Sequence, residues 1–144
     1  MFVHQDTDRV DTMTTKTILF IHCDPTVREI VQDCLIHLGG WQVISPDSLS
    51  EALNDAVQSQ PDAIVLNSLG ISTDQFTFLN TLNTQAATQS IPVLLIIPGA
   101  KWFSSQQLRQ LGVLGVIDDS TTPLELPLAI AKLLKWGEEV DLTR

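Results

Sequence analysis

The stretch Thr17-Ile-Leu-Phe-Ile-His-Cys-Asp-Pro25 decides the fold, because it joins a buried strand to the start of a helix. Its first five residues are apolar or β-branched, which is typical of a strand buried on both faces. Asp24 and Pro25 then match an N-cap followed by proline in the first helical turn. Apolar residues recur at helical spacing from there to Leu38, and Gly39-Gly40 ends the helix. The stretch therefore predicts a β-strand followed directly by an α-helix.

The same alternation of strand and helix continues along the chain. Further strands are predicted over residues 41–45, 63–66, 92–97 and 114–117. The predicted helices between them begin at a Ser48–Glu51 capping box, at an Asp74 cap and at Ser104 or Ser105. The last helix is predicted over residues 124–134 or from Glu125, because Pro127 would remove a hydrogen bond inside it. Five short apolar strands alternating with helices indicate an α/β, doubly wound, five-stranded parallel sheet.

Length and charge restrict the function classes. The 144 residues fit one domain over residues 16–136, with an N-terminal tail over 1–15 and an acidic tail over 137–144 that contains Glu138, Glu139 and Asp141. The net charge of −9 and only eight Lys and Arg residues argue against nucleic-acid binding. No apolar run is long enough to span a membrane, and none marks a signal peptide. Cys23 and Cys34 are too few for a disulfide framework, so we expect reduced thiols and a cytoplasmic protein.

Over residues 16–136 the chain resembles the receiver domain of bacterial two-component response regulators. The motifs that carry the resemblance are the opening stretch, Pro61-Asp-Ala-Ile-Val-Leu-Asn67, Ile91-Pro-Val-Leu-Leu-Ile-Ile97 and Pro123-Leu-Glu-Leu126. Each motif alone is weak, but their spacing fits the family without a large insertion. The resemblance implies a flavodoxin-like (β/α)5 sandwich whose phosphorylation pocket lies at the carboxyl ends of the strands.

The positions that perform the chemistry of a working receiver carry other residue types in this chain. The resemblance places its Mg²⁺-binding acidic pair on His22 and Cys23, its phospho-accepting Asp on Asn67, its hydroxyl residue on Ile97, its Lys-Pro pair on Asp119 and Ser120, and its aromatic switch on Val116. An amide cannot act as the carboxylate nucleophile, and Mg²⁺ prefers carboxylate oxygens. Asp119 adds an anion where a lysine would offset phosphate charge. The resemblance therefore implies a degenerate pocket and a pseudo-receiver.

The predicted function is a phosphorylation-independent protein–protein interaction module in signal transduction that is not an enzyme and needs no cofactor or metal. One alternative is the regulatory receiver domain of a larger response regulator or hybrid kinase. Another is a flavodoxin-like domain that binds a small ligand, although no Gly-rich loop follows the first strand. His22 and Cys23 could contribute to a site for a soft metal, but the sequence offers no third ligand.

We expect the interaction face to combine the fourth predicted helix, the fifth strand and the last helix. Its candidate residues are Trp102, Phe103, Gln107, Arg109, Gln110, Lys132 and Lys135. The expected partner is a kinase, a regulator or a second copy of the chain, and not a nucleic acid or a membrane. Trp102 and Phe103 could equally form an outlying part of the core. A competing face is the first helix, where Arg28, Glu29 and Gln32 are predicted to be exposed.

Overall fold

The structure is a computed structural model that describes residues 15–68 and 71–136. The predicted acidic tail and nearly all of the predicted N-terminal tail lie outside these residues. Five strands alternate with five helices: β1 (Thr17–Ile21), α1 (Pro25–His37), β2 (Gln42–Ile44), α2 (Leu49–Ser59), β3 (Ala63–Asn67), α3 (Thr73–Thr84), β4 (Val93–Ile97), α4 (Ser105–Leu111), β5 (Gly115–Asp118) and α5 (Leu126–Leu134). A short 3-10 helix, Ala100–Trp102, follows β4. No described helix has the length and apolar character that a membrane crossing requires.

All five strands are parallel and form one sheet in the order β2-β1-β3-β4-β5. The order reverses direction at β1, so the chain first winds toward β2 and then toward β5. This arrangement confirms the predicted α/β, doubly wound, five-stranded flavodoxin-like receiver fold. In such a sheet the loops after β1 and β3 diverge at the carboxyl edge, which creates a crevice there.

Two apolar layers cover the two faces of the sheet. Alternate residues of each strand point to opposite faces, so Leu19 and Ile21 pack with α2 and α3, whereas Ile18 and Phe20 pack with α1 and α5. Both faces of the parallel sheet are buried, and the strands are nearly continuously apolar because each residue faces one of the two layers. Val31, Leu35 and Ile130 complete the layer under α1 and α5.

The start of α3 differs from the prediction. Asp74 does not cap this helix. Ser72 is the N-cap, and its side chain and that of Gln75 form a capping box. Phe78, Leu79 and Leu82 are buried in the core, whereas Phe76 is 54% exposed.

The structure shows how the last helix accommodates Pro127. It begins at Leu126, so Pro127 lies in its first turn, where no intrahelical hydrogen bond is lost. Beyond its end, Trp136 packs edge-on against Trp41 with ring centroids 5.2 Å apart, and the Lys16 ammonium lies 5.5 Å from the Trp136 ring. Trp136 therefore covers the lower end of this helix.

Candidate functional site

A cavity of about 580 Å³ opens at the carboxyl ends of the strands. Four of the five residues predicted for the degenerate pocket line it, namely His22, Cys23, Asn67 and Asp119. They come together because parallel strands end at the same edge: Ile21 pairs with Leu66, and Asn67 pairs with Ile96. The sequence motifs that follow three strands thus form one site.

The fifth predicted pocket residue, Ile97, is not among the residues that line the cavity. Ile97 is 4% exposed, and its neighbour Ile96 lines the cavity instead. Val116, the predicted switch position, is half-buried and packs against the core layer under α2 and α3. An aliphatic side chain therefore stands at both positions where the resemblance would place a hydroxyl and an aromatic ring.

His22 is held as a neutral imidazole by its surroundings. Its Nδ1 accepts a hydrogen bond from the backbone N–H of Asp24 at 2.9 Å, which leaves the proton of the neutral ring on Nε2. Burial lowers the pKa of His22; the charge of Asp24 opposes this shift, and the charge of Arg28 adds to it. The Phe20 ring lies 6.0 Å away between centroids. At neutral pH this position supplies no charge and no hard oxygen ligand.

Asp24 follows the end of β1 and caps α1. One of its carboxylate oxygens accepts hydrogen bonds from the backbone N–H groups of Thr26 at 2.9 Å and Val27 at 3.4 Å. These donors are among those that a helix start leaves without an intrahelical partner. The predicted cap is confirmed.

Asn67 ends β3 beside a hydrogen-bonded network that the sequence interpretation missed. The hydroxyl of Ser68, which is 4% exposed, donates to Gln75 Oε1 at 2.6 Å. The same Gln75 oxygen accepts from the backbone N–H of Ser72 at 3.3 Å. The network ties the strand end to the start of α3. The spacing Ser72-x-x-Gln75 is a capping-box signature that could have identified it.

The loop after β5 is tied to the loop after β4 through Asp118. The backbone N–H of Ser120 donates to Asp118 at 3.0 Å, and that of Ala100 donates at 3.3 Å. Hydrogen bonding by Ser120 is the main reason that the pKa of Asp118 is lowered. Asp119 is exposed at the rim of the cavity, so a negative charge stands at the predicted lysine position.

The charge around the cavity does not suit a phosphoryl group. Of the residues described, those that line it include Asp24 and Asp119 but no Lys or Arg. Within residues 15–68 and 71–136, no three His, Cys, Asp or Glu side chains are grouped so that they could hold a metal ion. A dianionic phosphoryl group would meet carboxylates without a compensating cation.

The residues of the predicted interaction face occupy the fourth and fifth helices and the segment between β4 and α4. Trp102 is 78% exposed, with the Lys101 ammonium 5.4 Å from its ring centroid, whereas Phe103 is half-buried. Gln107 is engaged in the cap of α4, because its side chain accepts from the Ser104 N–H at 2.8 Å. The other predicted residues, Arg109, Gln110, Lys132 and Lys135, are exposed.

The competing face on α1 is less available than predicted. Arg28 is not free: it donates to the Pro46 carbonyl at 3.0 Å and pairs with Asp47 at 3.0 Å, and its side chain is 17% exposed. Gln32 is half-buried and accepts from the Ser45 hydroxyl at 3.0 Å. Of the three residues, only Glu29 has the predicted exposure.

Comparison with solved structures shows the class of fold. The chain is similar to the chemotaxis response regulator CheY4 of Vibrio cholerae, with a TM-score of 0.70 and 19% identity over 83% of this chain and 98% of the other. It is also similar to a putative response regulator of Chloroflexus aurantiacus, with a TM-score of 0.70 and 22% identity over 84% and 98%. A third similar structure is the N-terminal domain of a response regulator receiver protein from Methanoculleus marisnigri. It is 27% identical over 83% of this chain and 96% of the other, with a TM-score of 0.58.

These structural neighbours are response-regulator receiver domains, and the chain has their fold. No protein-family profile and no curated protein matches the sequence.

Proposed function

We propose that this chain is a pseudo-receiver: a cytoplasmic signalling domain that binds protein partners without being phosphorylated and is not an enzyme. The observation that carries the proposal is the composition of the cavity. Asn67 stands at the end of β3 where a receiver needs a carboxylate, and none of the described residues that line the cavity is a Lys or an Arg. The fold is retained around a pocket that lacks the groups for phosphoryl transfer.

The surroundings of the cavity support a structural role for its polar groups. Asp24 caps α1, Asp118 joins two loops, and Ser68 and Gln75 join β3 to α3. Each group has a partner within the chain. The polar groups around the pocket therefore hold the loops together. We infer that partners bind to the outer surface of the domain.

The candidate interaction surface remains the face of α4, β5 and α5. Trp102 stands out there, because a large aromatic side chain that is mostly exposed is a frequent anchor in interfaces. Val116 stands at the switch position, so that position has no aromatic ring to move between a buried and an exposed state. We propose a constitutive contact with a kinase or a regulator.

Mass spectrometry after incubation with a small phosphodonor and Mg²⁺ tests the proposal. We expect no phosphoryl adduct on the wild-type chain and none on Asn67→Asp, because the acidic pair and the lysine remain absent. The variant that carries His22→Asp, Cys23→Asp, Asn67→Asp and Asp119→Lys is the positive control, because it restores the acidic pair, the phospho-acceptor and the lysine. A stoichiometric, base-labile adduct on the wild-type chain would overturn the pseudo-receiver proposal.

A further inference from the structure

Charge is distributed unevenly along the chain. Residues 75–117, which form most of α3 and all of β4 and α4, contain Lys101 and Arg109 but no Asp or Glu. All 17 Asp and Glu residues of the chain lie outside this stretch. The part of the domain that is built from it therefore carries positive charge, although the net charge of the chain is −9. Such a region attracts an acidic partner that the rest of the surface repels.

The carboxylates that border this stretch in sequence are directed to other places. Asp74 lines a groove between α2 and α3. Asp118 accepts hydrogen bonds from the backbone N–H groups of Ala100 at 3.3 Å and Ser120 at 3.0 Å. Asp119 lines the cavity at the carboxyl ends of the strands. The outer surface of α3 and α4 thus lies between these acidic positions.

Trp102 is held in place although it is 78% exposed. A Cβ at Gly99 would lie 3.0 Å from Trp102 Cδ1, so the ring lies directly over this glycine. The backbone N–H of Trp102 donates to the Gly99 carbonyl at 2.9 Å, and the Lys101 ammonium lies 5.4 Å from the ring centroid. An exposed ring that is already ordered loses little conformational entropy when a partner covers it. These are the properties of an interface anchor.

Phe76, which is 54% exposed, lies beside the same segment. It precedes Asn83 by seven residues, so the two share one side of α3 and lie about 10 Å apart along its axis. Asn83 Nδ2 donates to the Leu111 carbonyl at the end of α4. Both helices lead back from the carboxyl edge of the parallel sheet, and α4 begins at Ser105, about 9 Å before Leu111. Phe76 is therefore level with the start of α4, beside the segment that holds Trp102.

Two exposed aromatic side chains and two cations thus occur on α3, on α4 and on the segment that precedes α4. We define the α3-α4 surface by these residues, Phe76, Lys101, Trp102 and Arg109. We propose that it binds an acidic segment of a partner protein, whose apolar side chain packs between the two rings and whose carboxylates lie beside the two cations. This inference rests on the proposed function, because it takes Trp102 as an anchor. It adds the chemistry of the partner and extends the contact to α3.

The small extent of the positive surface favours a short acidic protein segment over a nucleic acid or an anionic membrane. Both of these carry dense negative charge over a much larger area than one peptide. They would reach the parts of the domain that hold its carboxylates, where like charges repel. A short segment needs only a few residues to contact Lys101 and Arg109, and the repulsion from the rest of the domain directs it to this surface.

Selection from a random peptide library displayed on phage tests the chemistry of the partner. The full chain is the target, and the variant Trp102→Ala with Arg109→Glu removes peptides that bind elsewhere. We expect the remaining peptides to be enriched in Asp and Glu around a large apolar residue. The affinity of a synthetic copy should fall about tenfold or more between low salt and ~0.5 M NaCl, because salt screens exposed charges. Selected peptides without an excess of acidic residues, or no selected peptide at all, would overturn the proposal.

Single variants of the chain, titrated with the synthetic peptide and followed by fluorescence anisotropy, test its position. Phe76→Ala and Arg109→Glu should each weaken binding by about threefold to tenfold. Lys132→Glu and Leu128→Ala are the matched controls on α5, because they make the same charge change and remove an apolar side chain that is 74% exposed. Both controls should bind like the wild type. Circular dichroism identifies any variant that fails to fold.

The outcomes separate this inference from the proposed function. If Phe76→Ala binds like the wild type whereas Lys132→Glu weakens binding, the contact lies on the α4-β5-α5 face alone. The inference is then overturned, but the proposed function stands. A phosphoryl adduct on the wild-type chain would overturn the proposed function instead, and it is measured without the peptide.

Discussion

His22 cannot contribute to the phosphorylation chemistry of a receiver, but its side chain stabilises the folded structure. Its Nδ1 accepts from the Asp24 N–H at the start of α1, and this contact requires a neutral ring. Because burial lowers the pKa of His22 in the folded state, the unfolded chain, with a pKa near 6.5, binds the proton first as the pH falls. The stability contributed by the neutral ring is therefore complete above pH 6.5 and is lost as the pH falls toward the folded-state pKa.

The variant His22→Asn should flatten this dependence on pH. Asparagine offers an acceptor oxygen near the position of Nδ1 but does not titrate, so the hydrogen bond to Asp24 can be kept. Denaturant unfolding of both proteins between pH 7.5 and pH 5 measures the difference, and the subtraction removes the contribution of the exposed His37. A wild-type stability that rises relative to the variant on acidification would contradict a lowered pKa of His22 in the folded state.

The lining of the cavity predicts indifference to Mg²⁺. A site filled at ten times its Kd would raise the unfolding free energy by about 1.4 kcal/mol and Tm by about 4 °C. We expect no such rise for the wild-type chain in millimolar Mg²⁺, because His22 and Cys23 replace the acidic pair. His22→Asp with Cys23→Asp and Asn67→Asp is the control that should gain a rise. A wild-type increase that a chelator abolishes would disprove the prediction.

At the scale of elements, the end of α4 depends on a close approach between Gly112 and Asn83 of α3. Gly112 has a φ of +73°, and a Cβ there would lie 1.7 Å from Asn83 Nδ2. That nitrogen donates to the Leu111 carbonyl at 3.1 Å, so it satisfies one of the carbonyls that a helix end leaves without a partner. The contact holds α3 and α4 together.

Gly112→Ala should destabilise the fold more than Gly40→Ala. Both glycines have left-handed backbone conformations, which cost an L-residue about 1–2 kcal/mol. Gly40 has open space around it, whereas Gly112→Ala displaces Asn83 and costs a further ~1–3 kcal/mol for the carbonyl left without a donor. Denaturant unfolding of both variants measures the difference. Equal losses of stability would show that the Asn83 contact is dispensable.

At the scale of the whole molecule, partner binding should depend on the α4-β5-α5 face and not on α1. Trp102→Ala with Arg109→Glu removes an exposed aromatic side chain and reverses an exposed charge, and it should lower partner affinity by tenfold or more, since interface anchors cost about 2 kcal/mol or more when truncated. Binding to a kinase or regulator partner purified from the source cell would be measured by titration calorimetry. Glu29→Lys, on the exposed side of α1, is the control.

The variants are chosen so that folding does not obscure the result. Arg28 is excluded as a control, because its contacts with Pro46 and Asp47 join α1 to the segment after β2. Loss of binding in Glu29→Lys alone would move the interface to α1. Gln107 is excluded for a similar reason, since its side chain caps α4.

The sequence by itself determined the architecture and the position of the candidate site. Short apolar strands that alternate with amphipathic helices can bury both faces only in a parallel, two-sided sheet, and Asp24-Pro25 starts α1 through contacts within four residues. The carboxyl ends of parallel strands necessarily share one edge, so the motifs that follow β1, β3 and β5 were bound to meet there. His22, Cys23, Asn67 and Asp119 lie together for that reason.

Only the tertiary structure decided which polar groups are engaged and which apolar groups are exposed. Arg28 pairs with Asp47, Ser68 reaches Gln75 and Asp118 accepts from Ala100, each through loops whose course the local sequence does not specify. Ile30 and Leu38 belong to the apolar pattern of α1, but the pattern could not show that neighbouring elements leave these two side chains uncovered. Burial is set by packing between elements that are distant in sequence, and that information is absent from any single helix or strand.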